Sequence, residues 1–133
     1  MIVIEQEVRE IVHEAEASGE RLNSIADQFR GGRNVLEILT LLESIDAELV
    51  SIGAWILGEL PLTLYNSDPF ISRLRGLVDH ESAAVRFHAF GALFPALNWQ
   101  DDAARRLLAK LRNDPNEGVR RSAEAAAARV LSN

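Results

Sequence analysis

A repeat of about 35 residues limits the fold of this chain more than any other feature. Val50, Val85 and Val119 recur 35 and then 34 residues apart, and Ala54, Ala89 and Ala123 follow them at four residues. Leu39, Leu74 and Leu108 repeat upstream in the same register, as do Leu42, Leu77 and Leu111. A step of four keeps two side chains on one face of a helix. Each unit therefore reads as a helix, a short turn beginning near an aspartate, and a second helix. A unit of this size cannot bury its apolar face alone, so neighbours must stack. The fold class expected is all-α, an α-α superhelix of three repeats at residues 34–68, 69–100 and 101–133.

The turns agree with this. Asp114-Pro-Asn-Glu117 reads as an N-cap, a first-turn proline and a glutamate closing a capping box. Asp68-Pro69 starts a helix in the same way, Asp79 precedes Ser82 at another start, and Asp101 opens the first helix of the last unit. Residues 1–33 form an atypical helical cap: an amphipathic helix over roughly 2–17, striped by Val8, Ile11, Val12 and Ala15. Ser18-Gly19 then breaks the chain before a shorter helix over 21–29, which Gly31-Gly32 ends.

Composition narrows the function classes. The chain has 133 residues, enough for one domain with a core of its own. There is no cysteine, which removes disulfide and thiolate chemistry and suits a reducing cytoplasm. The longest uncharged apolar run, residues 49–58, is half the length of a membrane span. Glu5, Glu7 and Glu10 stand where a secretory signal would carry positive charge, so no export is expected. Net charge is −6 and unevenly spread. Thirteen acids face four bases over residues 1–68, seven face ten over 69–133, and residues 34–68 hold no Lys or Arg. Such a split favours a charged protein partner and, at the acidic half, repels nucleic acid.

Catalytic signatures are missing. His13-Glu14 and His80-Glu81 begin like the zinc motif HExxH, but Ala17 and Ala84 occupy the second ligand position. His80 and His88, eight residues apart around a turn with no third candidate nearby, read as solvated or locally capping residues. No serine lies in a Gly-x-Ser-x-Gly elbow, and Gly31-Gly32 lacks the Lys-Ser/Thr of a phosphate loop. Carboxylates such as Glu14 and Glu16 fall on solvated faces. The arginines of the last unit are interleaved with Asp101, Asp102, Asp114, Glu117 and Glu124. That pattern predicts helical ion pairs, such as Asp101 with Arg105 or Glu117 with Arg121, rather than a basic stripe for phosphates. The expectation is no catalytic residue, no metal and no cofactor.

The pattern Asp79…Val85-Arg86…Ala89 and Asp114…Val119-Arg120…Ala123 resembles HEAT repeats. The resemblance covers about three quarters of the chain, from Asn34 onward. It implies an Asp–Arg ladder between neighbouring turns, which makes Asp79, Arg86, Asp114 and Arg120 structural. The first unit departs, with Ser51 where the other two have arginine. Phe29-Arg-Gly-Gly-Arg-Asn34, Leu41-Leu-Glu-Ser44 and the segment 53–60 further resemble small bacterial HEAT-like proteins of the immunity type. Members of that group bind and neutralise a cognate toxin domain in the cytoplasm.

The second helices of stacked pairs usually line the concave, partner-binding surface. In the first unit that helix spans roughly 47–60, with Leu49, Val50, Gly53, Ala54, Leu57 and Leu60 toward the core. Glu48, Ile52, Trp55 and Glu59 form a second stripe beside it. An aromatic flanked by carboxylates suits a basic partner, and Glu43, Tyr65 and Asp68 extend the acidic end. Packing against the next unit is the other use open to Trp55. Phe87, Phe90, Phe94 and Trp99 are expected in the core. The resulting expectation is a monomer or weak dimer that binds a protein, a basic toxin domain by the resemblance. A general adaptor is the alternative. A DNA-repair or lyase-type enzyme would instead need a basic aromatic groove or a buried carboxylate pair.

Overall fold

The computed structural model describes residues 3–14 and 18–131, and every regular element among them is helical. The helices are α1 (Ile4–Val12), α2 (Ser18–Arg30), α3 (Ile38–Leu42), α4 (Ala47–Glu59), α5 (Asp68–Leu77), α6 (Ala83–Leu93), α7 (Asp102–Leu111) and α8 (Glu117–Leu131). Short 3-10 turns precede α3 and follow α4 and α6. No helix among the described residues is long and apolar enough to cross a membrane.

From α3 onward consecutive helices pack in pairs: α3 on α4, α5 on α6 and α7 on α8. The second helices also pack in a row, α4 on α6 and α6 on α8, and α1 covers α3 and α4. α4 is accordingly enclosed, burying Leu49, Val50, Gly53, Ala54, Ile56 and Leu57. The repeated Val50, Val85, Val119 and Ala54, Ala89, Ala123 are all buried. Gly53 is needed here, because a Cβ at this position would stand 2.8 Å from the Cβ of Leu41 and force α3 and α4 apart.

The N-terminal cap departs from expectation. α1 ends at Val12 and α2 begins at Ser18, so Ser18-Gly19 opens a helix instead of closing one. First-turn amides have no intrahelical partner, which makes a glycine there cheap. Ile2, Ala15 and the end of the expected first helix lie outside the described residues. Gly32 adopts φ +114° and closes α2. Arg33 then ties the cap together, meeting Glu7 of α1 at 2.7 Å, Gln28 of α2 at 2.8 Å and Glu37 at 2.9 Å, while lying over the Phe29 ring. Glu37 first, then Glu7, hold its guanidinium well above the ordinary arginine pKa. The segment 29–34 is thus a structural clasp.

The turns within the three pairs share one wiring pattern. A side chain two residues before the N-cap accepts the N-cap amide: Ser44 from Asp46 at 3.0 Å, His80 through Nδ1 from Ser82 at 2.9 Å, Asp114 from Asn116 at 2.9 Å. The caps themselves are Asp46, Ser82 and Asn116, accepting from Glu48, Val85 and Val119. Two expectations are corrected. Asn116, not Asp114, caps α8. The counterpart of Asp114 in the middle unit is His80, not Asp79, because the middle turn is shifted by one residue. Asp79 instead pairs with Lys110. One ladder rung forms between Arg86 and Asp114, with both nitrogen–oxygen distances 2.9 Å and both side chains largely buried. Arg86 also donates to the carbonyls of His80 and Glu81, and Arg120 repeats this with Asp114 and Pro115. Burial works against the charge of Asp114, but hydrogen bonds from Arg86 and the Asn116 amide outweigh it and lower its pKa.

Candidate functional site on the second helices

The α4 stripe borders the neighbouring helices of the second-helix row. α4 carries Ile52 and Trp55, half-buried, between exposed Glu48 near its start and exposed Glu59 at its end. Eleven residues of helix separate the two carboxylates, about 16 Å at the helical rise. Neighbouring helices turn this stripe into two clefts. One, of 320 Å³, is lined by Trp55, Gly58 and Glu59 of α4, Phe87, His88 and Gly91 of α6, and Ser122 of α8. The other, of 490 Å³, lies toward the start of α4 and is lined by Glu48, Ser51, Ile52, Ser82, Ala84 and cap residues Val12 and Leu22.

Glycines shape the first cleft. Gly58 lies where α4 and α6 run close, a Cβ there falling 3.7 Å from the Ala92 nitrogen. A Cβ at Gly91 would meet nothing within 4 Å. Gly91 therefore costs α6 helix propensity with no packing need behind it, and leaves the backbone open to whatever enters. Gly91 and Ser122 also border a further cleft running to Phe94 and Arg129, where the Arg129 guanidinium lies 5.6 Å from the Phe94 ring centre.

The electrostatics are graded across the row. α4 contributes only carboxylates, Glu48 without an ion pair among the described residues and Glu59 at 3.5 Å from Arg30. The α8 side contributes Arg129 and the exposed Arg121–Glu117 pair at 2.7 Å. Glu59 lines the first cleft and Glu48 the second, and both come from α4. His88 is half-buried in the cleft, and desolvation lowers its pKa, favouring the neutral imidazole.

Three expected site residues lie apart from this surface. Glu43 ends α3 and meets Arg73 of α5 at 2.5 Å. Tyr65 stands edge-on to Phe70, its ring centre 5.6 Å away, and burial raises its pKa. Asp68 is the first residue of α5 and exposed. All three belong to the first-helix layer, away from the stripe of Glu48, Ile52, Trp55 and Glu59. Conversely, the sequence reading missed Phe87. Phe90 and Trp99 are buried and Phe94 half-buried, but Phe87 is 42% exposed and borders the cleft. Its i+2 offset from buried Val85 was the available signal, since that offset points about 160° away on a helix.

Among the described residues no three His, Asp or Glu side chains converge on a metal-sized site, and no buried side-chain polar atom lacks a partner. The surface offers apolar contact, open backbone and a bordering row of carboxylates. No family model, no curated protein and no solved structure matches this chain.

Proposed function

We propose that this chain is a protein-binding module of HEAT-like repeats, an immunity-type inhibitor that neutralises a basic toxin domain in the cytoplasm, and that it is not an enzyme. The observation carrying the reading is the cleft in which Trp55, Phe87 and Glu59, from two successive second helices, surround an uncovered Gly91. The repeat register, the shared turn wiring and the Arg86–Asp114 rung support the HEAT-like scaffold. The immunity assignment rests on the sequence resemblance and on the carboxylate edge of α4, which attracts a basic partner. In this reading rim charges speed association in a salt-sensitive way, while the aromatic pair slows release.

The test is a pull-down of the products of neighbouring genes at low salt, with Trp55→Ala, Phe87→Ala and Glu59→Lys alongside. Binding of one basic product, weakened at least tenfold by Trp55→Ala or Phe87→Ala with helicity intact, is expected. Binding of no neighbour would reject the inhibitor reading, and binding insensitive to all three substitutions would move the interface elsewhere.

A further inference from the structure

The junctions between consecutive helix pairs are built alike, but only one is filled. Between the second and third pairs, Arg86 projects from α6, donates to the carbonyls of its own turn, and grips Asp114 of the next. Between the first and second pairs the corresponding position on α4 is Ser51. Its counterpart across the junction is His80, whose Nδ1 is already taken by the Ser82 amide. Neither half of a rung is present there.

The 490 Å³ cleft opens at this place. Ser51 lines it, with Ala47, Ser82 and Ala84 as further small side chains around it. Its walls are the apolar Val12, Leu22 and Ile52, and its one charged liner is Glu48. Glu48 is exposed and, among the described residues, forms no ion pair. No base occurs anywhere in residues 34–68 to neutralise it from within the pair. The site thus combines apolar walls that suit a three-carbon stem with a carboxylate unpaired among the described residues, beside the serine that stands in register with Arg86.

We propose that this cleft binds an arginine side chain supplied by a partner protein, which closes the first junction from outside as Arg86 closes the second from within. The stem lies along Ile52 and Leu22, and the guanidinium pairs with Glu48. Arginine is favoured over lysine because its planar fork can meet the Glu48 carboxylate through two parallel hydrogen bonds. The inference builds on the protein-binding reading but concerns a different cleft from the one beside Trp55.

The test needs no partner. Backbone amide NMR shifts of the intact chain are followed while N-acetyl-arginine amide is titrated to tens of millimolar, with the isosteric, uncharged N-acetyl-citrulline amide as control. Saturable shifts confined to Ser51, Ile52, Ser82, Ala84 and their neighbours are expected, at least threefold weaker with citrulline. Ser51→Arg, which fills the cleft from inside, should abolish them, and Glu48→Gln should weaken them at least threefold. No localised shift, equal response to citrulline, or shifts surviving both substitutions would overturn the proposal. The gene-neighbour pull-down reads the Trp55 cleft, so failure of either experiment is distinguishable from failure of the other.

Discussion

At the scale of single residues, the bonds that matter most are those with no water to replace them. Arg86 and Asp114 are 13% and 7% exposed and joined by two parallel hydrogen bonds, so removing one partner strands the other. Asp114→Asn should destabilise the chain by about 3 kcal/mol, measured by urea unfolding at pH 7. The pH dependence follows from the direction of the Asp114 shift. A carboxyl held below its ordinary pKa contributes stability that is complete above the unfolded value, and that contribution disappears as pH falls through the folded one. Wild type should therefore lose stability below about pH 4 more steeply than Asp114→Asn, and equal slopes would contradict the assignment. His88 acts in the same pH sense at a higher range. With its folded pKa lowered, the unfolded chain binds a proton first, so this contribution fades as pH drops below about 6.5. The glutamate–arginine pair expected between residues 117 and 121 is present. The one expected between Asp101 and Arg105 is not, since Arg105 reaches the Trp99 carbonyl instead. An i,i+4 spacing permits a pair without choosing it over a nearby backbone acceptor.

Among the elements, glycine separates packing from openness. Gly53 lies under Leu41, whereas Gly91 has empty space above it. Gly53→Ala should cost about 1–3 kcal/mol through overpacking, while Gly91→Ala should stabilise α6 by up to about 1 kcal/mol, both read from thermal or urea midpoints. Equal effects would mean that the α3–α4 approach is not as tight as described. The empty rung makes a paired prediction. Ser51→Arg with His80→Asp should show about 1–2 kcal/mol of favourable coupling in a double-mutant cycle, as the two changes recreate the Arg86–Asp114 geometry. The helix pairs were legible in the sequence because valine, alanine and leucine repeat at fixed intervals and helical period. Helix boundaries were less so. Ser18-Gly19 is chemically as suited to a first turn as to a last one, and only tertiary context decides. Of the seven residues expected at a site, Glu48, Ile52, Trp55 and Glu59 share a face of α4 by helix geometry alone. Glu43, Tyr65 and Asp68 sit on loops and helix ends, whose direction no periodicity encodes.

For the whole molecule, the buried side chains of all eight helices form one continuous cluster, from Ile4 in α1 to Ala127 in α8. Nearest-neighbour coupling through such a core predicts a single cooperative transition. The two tryptophans sample different parts of it, Trp55 on α4 and Trp99 between the second and third pairs. Fluorescence of Trp55→Phe and of Trp99→Phe, each reporting the remaining indole, should unfold at the same denaturant concentration as the far-UV signal, once each variant is referred to its own midpoint. Separated transitions would show that the pairs unfold as independent blocks. The charge division belongs to this scale as well. The acidic half supplies the carboxylate edge of α4, while the basic half spends Arg86, Lys110 and Arg121 on internal pairs.

The two-carbonyl grip of Arg86 is reproduced by Arg120, but among the described residues no carboxylate meets Arg120 as Asp114 meets Arg86. The wiring therefore has a polarity from the second pair onward: Arg86 connects its turn to the next, and Arg120 is held in the same way beyond it. A grafted helix pair that placed an aspartate 28 residues beyond Arg120, the spacing from Arg86 to Asp114, would find its socket already assembled. The scaffold is in that sense extensible in one direction, and lengthening it is a matter of respecting a local grammar rather than redesigning a core.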